Sequence, residues 1–119
     1  MGCAFCEMKP VCYLVENEYF YAIRDIRPVT CGHCLIVAKR HVGDFFGLKP
    51  EEMESLHTLA MELKELLDRE FHPDGYNLGM NCGRAAGQSV FHFHLHMIPR
   101  QQSDRKPLQG LREYVKELL

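Results

Sequence analysis

The first part of the chain alternates short apolar runs with polar segments. Apolar runs occupy residues 11–15, 19–23 and 34–38, and the segments between them are rich in Asn, Glu, Asp, Pro and Gly. Short apolar runs bounded by such residues are typical of β-strands joined by turns. The pattern predicts three antiparallel strands.

From Pro50 onward the apolar positions follow a helical period. They recur at steps of three and four residues, with charged residues at most of the positions between them: Met53, Leu56, Ala60, Leu63, Leu67 and Phe71. Proline in the first turn, and Glu51 and Glu52 near the positive end of the helix dipole, favour a helix that starts here. The segment 72–75, HPDG, predicts its end.

Two further strands are predicted at 76–81 and 90–99, joined by a loop at 82–89 that is rich in small residues. The tail 108–119 has helical spacing again. This order favours an α+β fold, with an antiparallel sheet of about five strands, one long helix and a C-terminal helix. A chain of 119 residues fits one domain, 1–119.

Composition narrows the class of protein and of partner. Apolar residues make up 46% of the chain and charged residues 25%, which is typical of a folded protein. A net charge of −2 without a basic stripe argues against long nucleic acid as a partner. No apolar run approaches the roughly 20 residues of a membrane span, and the start lacks a secretory pattern, so we expect a cytoplasmic protein without membrane association. Six cysteines in that setting favour reduced thiols or a metal site over disulfides.

The densest chemical signal is the segment 92–96, HFHLH. On a strand, successive side chains alternate between faces, so His92, His94 and His96 would share one face. One interpretation is a solvated strand face that is rich in histidine. Three imidazoles beside a glycine-rich loop instead favour a catalytic or metal-binding role. They could hold a catalytic metal with an open position, or divide the roles of nucleophile, phosphate binder and proton donor. The residues alone do not choose between these.

A second signal is the cysteine pair Cys3 and Cys6. Two thiolates at this spacing form half of a zinc site, and two further ligands must then come from elsewhere in the chain. The alternative is two reduced cysteines near a free terminus.

The segment 81–100, NCGRAAGQSVFHFHLHMIPR, closely resembles the signature of the histidine triad (HIT) superfamily. The likeness extends to 25–41, DIRPVTCGHCLIVAKRH, and with the helix between them it covers nearly the whole chain. The cysteine pair and the ending of the signature are similar to the bacterial and archaeal nucleotide hydrolases. The resemblance implies a HIT-like fold and an enzyme that releases a nucleoside monophosphate, such as AMP or GMP, from a nucleotide conjugate. Dinucleoside polyphosphates and nucleoside phosphoramidates are such conjugates.

The resemblance also implies catalytic roles. His94 matches the nucleophile, which forms a covalent nucleotidyl-histidine intermediate, and His96 matches a histidine that contacts phosphate. Ser89 and Gln88 match loop residues that contact the phosphate and the leaving group, and His33 matches a fourth histidine that faces the triad.

Nucleotide binding by resemblance involves Asp25, whose carboxylate accepts hydrogen bonds from ribose hydroxyls, and Asn81, a polar residue that faces the same site. Phe5, Met8 and Ile26 would form an apolar slot for the base. Without the resemblance, Asp25 reads as a turn residue and the three apolar residues as plain core.

In relatives with the cysteine pair, the remaining metal ligands correspond to His41 and His92, so the resemblance implies a structural zinc on Cys3, Cys6, His41 and His92. Four protein ligands close such a site, and the metal then supports the fold and does not activate water. The resemblance also implies a homodimer with sheets joined across the interface.

Two alternatives stay open. A nucleotidyltransferase or phosphorylase of the same superfamily would resolve the intermediate with phosphate in place of water. A nucleotide-binding regulatory module would bind nucleotide tightly and hydrolyse it only incidentally.

Overall fold

The computed structural model describes residues 3–103. In it, the strands that precede the long helix and the strands that follow it form one antiparallel sheet. The five strands are β1 (Val15–Glu16), β2 (Phe20–Arg24), β3 (Cys34–Ala38), β4 (Gly75–Gly79) and β5 (His94–Arg100). Their order across the sheet is β1-β2-β3-β5-β4, and every neighbouring pair is antiparallel. The α+β class with a five-stranded sheet is confirmed, and the C-terminal helix expected at 108–119 lies outside the described residues.

The single long helix, α1, spans Pro50–Phe71 as the periodicity predicts. It ends at His72, whose φ of 49° is left-handed, and Pro73 follows, which disfavours a helical continuation. The buried stripe differs from the predicted one in two positions: Leu59 is fully buried where Ala60 was expected, and Met53 is 36% exposed. The helix is therefore rotated so that its larger leucines fill the core. None of the helices within residues 3–103 is long and apolar enough to cross a membrane.

Two strand predictions need correction. The apolar run at 11–15 does not form a strand along its length, because Pro10 starts a 3₁₀ turn, Pro10–Cys12, and Val11 is 87% exposed. Ladder pairing begins only at β1. The last strand starts at His94, not at residue 90, so His92 precedes the strand.

The sheet separates two apolar clusters. Helix α1 covers one face, where Phe93, Leu95 and Met97 join the main core. The opposite face carries a smaller cluster of buried side chains, against which the N-terminal segment packs: Tyr21, Ile23, Leu35 and Val37. Strand alternation therefore directs His94 and His96 to the face away from the helix, where they pair in register with Val37 and Leu35 of β3.

Candidate functional site

His94 lies at the start of β5 and is partly exposed. Its Nδ1 atom is 2.8 Å from the main-chain carbonyl oxygen of His92. A carbonyl oxygen only accepts hydrogen bonds, so Nδ1 donates and the neutral ring keeps its free lone pair on Nε2. His94 is therefore prepared to act as a nucleophile or as a base through Nε2.

His96 and His33 form a buried pair with defined proton positions. The main-chain N–H of Val29 donates to His33 Nδ1 at 3.0 Å, so the neutral His33 ring carries its proton on Nε2. His33 Nε2 lies 2.9 Å from His96 Nδ1 and donates to it. This leaves His96 with an N–H on Nε2, a donor suited to a phosphate oxygen.

Burial keeps both of these imidazoles neutral. It lowers the pKa of His96 to about 4, with smaller contributions from the neighbouring His94 and His33 rings. Burial also lowers the pKa of His33, against the opposing effect of Asp25. At neutral pH the pair consequently acts by hydrogen bonding and not as a fixed positive charge.

Asp25 combines the two interpretations that the sequence left open. Its Oδ1 accepts the main-chain N–H of Arg27 at 2.9 Å, as a turn residue does. Its Oδ2 lies 3.4 Å from His33 Nε2 and 4.0 Å from His96 Nδ1, which places the carboxylate within the histidine cluster.

The expected apolar slot is only partly assembled. Phe5 and Met8 are partly buried against the smaller cluster of the sheet. Ile26 is 92% exposed on the turn after β2. The Phe5 ring lies 5.1 Å from the His94 ring and 5.8 Å from the His92 ring, measured between centroids. Phe5 is thus a neighbour of the histidines as well as a candidate base contact.

The loop between β4 and β5 places its predicted residues differently. Ser89 is exposed, and Asn81 is partly exposed at the start of the loop. Gln88 is buried and its side-chain amide is used within the protein: Oε1 accepts the Gly83 N–H at 2.7 Å, and Nε2 donates to the Gly43 carbonyl at 2.7 Å. These bonds hold the loop in shape, and the expected contact of Gln88 with a ligand stays a prediction.

The four predicted metal ligands come together. One ligand atom from each of Cys3, Cys6, His41 and His92 lies within a single cluster, and their six separations run from 3.2 to 3.6 Å. A zinc tetrahedron has edges of about 3.3 Å between nitrogens, about 3.5 Å between nitrogen and sulfur and about 3.8 Å between sulfurs. The separations that involve nitrogen match these edges, and the 3.2 Å separation of the two sulfurs is shorter.

The protonation of His92 fits a metal as well. Its Nε2 lies 2.6 Å from the Ala38 carbonyl oxygen and donates to it, so the Nδ1 lone pair points at the thiols. A zinc ion fits this donor set. The second group of candidate ligands, Asp25, His33 and His96, is already satisfied by hydrogen bonds between the two rings and from Val29.

One supporting interaction was not predicted. Arg40, next to the candidate ligand His41, donates from Nε and Nη2 to the buried Glu52 carboxylate at 2.7 and 2.8 Å. Glu52 also accepts the Lys49 main-chain N–H at 2.8 Å, which caps α1. These bonds, chiefly those from Arg40, lower the pKa of Glu52 to about 2. The sequence did contain a signal for this burial, because Glu52 lies one helical turn before Leu56 and therefore on the same, buried face of the helix.

Comparison with known proteins agrees with this geometry. The model of the HIT domain matches residues 8–103. An uncharacterized HIT-like protein of Mycoplasma genitalium is 36% identical over 108 residues, which cover 87% of this chain and 77% of that relative. The adenylylsulfatase HINT3 of Arabidopsis thaliana is 31% identical over 106 residues, which cover 86% of this chain and 54% of that protein.

A crystal structure of a zinc-bound histidine triad family protein from Mycobacterium smegmatis aligns with a TM-score of 0.78 at 34% identity. The alignment covers 98% of this chain and 88% of that chain. With His94 and His96 on the sheet face away from α1, and a family match over residues 8–103, this chain belongs to the histidine triad (HIT) family.

Proposed function

We propose that this protein hydrolyses a nucleotide conjugate and releases a nucleoside monophosphate, with His94 Nε2 as the nucleophile at the α-phosphate. The observation that carries the proposal is the 2.8 Å contact between His94 Nδ1 and the His92 carbonyl, which leaves the Nε2 lone pair free on a partly exposed ring. The family includes hydrolases, and one relative is an adenylylsulfatase. That relative supports sulfate among the leaving groups, beside polyphosphate and amine.

In the first step, Nε2 of His94 forms a P–N bond and the bond from phosphorus to the leaving group breaks. The phosphorylated ring is then a cation that retains its Nδ1 proton, and the His92 carbonyl stabilises it by accepting that proton in a hydrogen bond. His96 Nε2–H donates to a phosphate oxygen as negative charge develops, with its proton held in place by His33. The leaving group takes its proton from solvent or through Ser89.

In the second step, water attacks the phosphorus and the P–N bond breaks. This returns the electron pair of the P–N bond to Nε2, releases the nucleoside monophosphate and regenerates neutral His94, while the proton that the water loses passes to solvent. Splitting one displacement into two easier ones is the general advantage of a covalent intermediate.

We assign nucleotide recognition to the surroundings of this centre. Asp25 would accept hydrogen bonds from the ribose hydroxyls, Met8 and Ile26 would contact the base, and Asn81 would be a polar residue that faces the same site. The apolar character of these contacts permits either purine, since hydrophobic contacts discriminate weakly between similar groups.

The residues Cys3, Cys6, His41 and His92 would hold a zinc ion with four protein ligands, which supplies stability and no activated water. His92 contributes its ring to that site and its carbonyl to His94.

The test is His94→Ala, assayed with adenylyl and guanylyl conjugates that carry polyphosphate, amine and sulfate leaving groups. Nucleoside monophosphate release should fall by at least about 10³-fold, while nucleotide binding and zinc content persist. His57→Ala is the matched control, because His57 is an exposed histidine on α1. Quenching without acid and mass spectrometry should find a nucleoside monophosphate on the peptide that contains His94.

Activity retained by His94→Ala and abolished by chelators would instead indicate a metal-bound hydroxide. Dependence of turnover on inorganic phosphate would identify a phosphorylase. Tight nucleotide binding with negligible turnover on every conjugate would identify a regulatory module.

A further inference from the structure

Phe5 connects the cysteine turn to the histidine face. It lies between the candidate ligands Cys3 and Cys6, and its ring is tilted against the His94 ring at a centroid distance of 5.1 Å. Its carbonyl oxygen accepts a hydrogen bond of 2.6 Å from the hydroxyl of the buried Tyr21. The turn is thereby fastened to the sheet at its backbone while its aromatic ring contacts His94.

His92 connects the same two places through a different route. Its Nδ1 faces the Cys3 and Cys6 sulfurs at 3.2 and 3.4 Å, and its carbonyl accepts the His94 Nδ1 proton. The residue that would bind the metal is therefore the hydrogen-bond partner of the proposed nucleophile. Metal binding and nucleophile orientation share two physical links.

We propose that Phe5 is a positioning residue, which transmits occupancy of the four-ligand site to the orientation of the His94 imidazole. The terminal torsion of a histidine side chain is broad and two-fold, so a single hydrogen bond from Nδ1 leaves the ring loosely held. An aromatic neighbour restricts the ring from its face. Because cysteines flank Phe5 on both sides, the position of its ring depends on whether the turn is clamped.

Within the turn itself, the Cys6 N–H donates to Cys3 Sγ at 3.3 Å, and the Glu7 N–H donates to the Cys3 carbonyl at 3.1 Å. Both bonds are local to the turn and do not attach it to β5. Attachment of the turn to the histidines relies on the ligand cluster and on Phe5. The Tyr21 hydrogen bond holds only the Phe5 backbone, so loss of the metal should loosen the contact between the Phe5 ring and His94.

This role differs measurably from a contact with the base. A base contact acts equally in the ground and transition states, so its loss raises KM and leaves kcat unchanged. A positioning residue acts on the geometry of attack, so its loss lowers kcat, whether or not the nucleotide Kd also changes. We expect Phe5→Leu to lower kcat by roughly 10- to 100-fold, the range in which small misplacements of reacting groups fall. Phe5→Tyr, which keeps the aromatic ring, should restore most of it.

The kinetic expectation rests on the proposed function, so the deciding experiment uses a signal that does not. Histidine-selective NMR reports the ring protons of His94, assigned as the signals that disappear in His94→Ala. In zinc-loaded protein, Phe5→Leu should move these signals through the loss of the aromatic ring current. Tyr13→Leu is the control: it also removes an aromatic ring from the N-terminal segment, one that is stacked 4.2 Å from Tyr21. It should leave the His94 signals in place.

The second arm adds a chelator to the wild-type protein and then restores Zn²⁺. The His94 signals should move toward their Phe5→Leu positions and return with the metal. Zinc content is measured for every variant, so that loss of metal is not mistaken for loss of the ring. Should the chelated protein unfold, the loss of kcat in zinc-loaded Phe5→Leu and its recovery in Phe5→Tyr decide the positioning role.

Unmoved His94 signals in Phe5→Leu, or a rise in KM at unchanged kcat, would overturn the proposal and return Phe5 to the base slot. Signals that respond as expected in a protein where His94→Ala remains active would support the coupling and refute only the nucleophile. The two failures are thus distinguishable.

Discussion

Replacement of Glu52 with glutamine tests whether the buried ion pair with Arg40 supports the fold next to the candidate metal centre. The Glu52 side chain is 3% exposed and accepts two hydrogen bonds from Arg40 and one from the Lys49 N–H. Glutamine keeps the size and one acceptor oxygen. It removes the charge and turns an N–H₂ group toward the Arg40 guanidinium.

The magnitude follows from the pKa of the carboxyl. Its pKa falls from an ordinary 4.5 to about 2, chiefly through the Arg40 hydrogen bonds. At about 1.4 kcal/mol per pKa unit this difference corresponds to roughly 3 kcal/mol. Because 41% of the Arg40 side chain is exposed and solvent screens its charge, we expect Glu52→Gln to lower the free energy of unfolding by about 2 kcal/mol at neutral pH.

The sign of the pH dependence is determined by the lowered pKa. A carboxyl with a depressed pKa in the folded state binds fewer protons there than in the unfolded state. Its stabilisation is therefore complete above pH 4.5 and is lost as the pH falls toward 2. The difference between wild-type and Glu52→Gln stability should shrink over that interval.

Urea unfolding at fixed protein concentration, repeated across this pH interval, is the assay. In thermal unfolding at neutral pH, the midpoint temperature of Glu52→Gln should be roughly 10 °C below that of the wild type. Glu65→Gln is the matched control, because it makes the same change on the same helix in a side chain that is 72% exposed and pairs with Arg69. If Glu52→Gln is as stable as Glu65→Gln, or if the difference persists unchanged at low pH, the assigned role of the pair is wrong.

Two further predictions concern the metal and the assembly. The purified protein should carry about one zinc per chain, as metal analysis can measure. Because the binding energy of a structural site is folding energy, Cys6→Ser should lower both the metal content and the thermal stability relative to the control Cys12→Ser. A protein that is equally stable without metal would contradict this. The protein should be a homodimer in sedimentation equilibrium at micromolar concentration, and a monomer under those conditions would exclude an interface of the type that joins sheets across edge strands.

The regular elements were predictable where one physical signal dominated. β3 occupies the predicted residues, since its continuous apolar run is buried on both faces of the sheet. The helix begins at Pro50 as predicted, because proline and two glutamates favour a first turn. The run at 11–15 was misassigned because a short apolar stretch does not distinguish a strand from the 3₁₀ turn that Pro10 imposes.

The candidate site divides in the same way. The spacing of the cysteines indicated half of a metal site, and the period of the histidines indicated a reactive or metal-binding face. The family resemblance supplied the two distant candidate metal ligands, His41 and His92. The internal hydrogen bonds of Gln88 were not predictable, because its amide partners include Gly43 and Gly83, which come from two loops whose approach no local pattern encodes. Burial of Glu52 was missed for the same reason, since Arg40 precedes the helix by ten residues and pairs with it only in the folded chain.

By itself, the sequence determined which residue types are present, which faces of its strands and helix are apolar, and which family signature it carries. Only the tertiary structure decided which ring nitrogen is protonated in His33, His92 and His94. His92 donates to the Ala38 carbonyl, His33 accepts from Val29, and His94 donates to the His92 carbonyl. Main-chain donors and acceptors are identical in every residue, so their pairing with a side chain depends on where the folded backbone places them and not on the residue types.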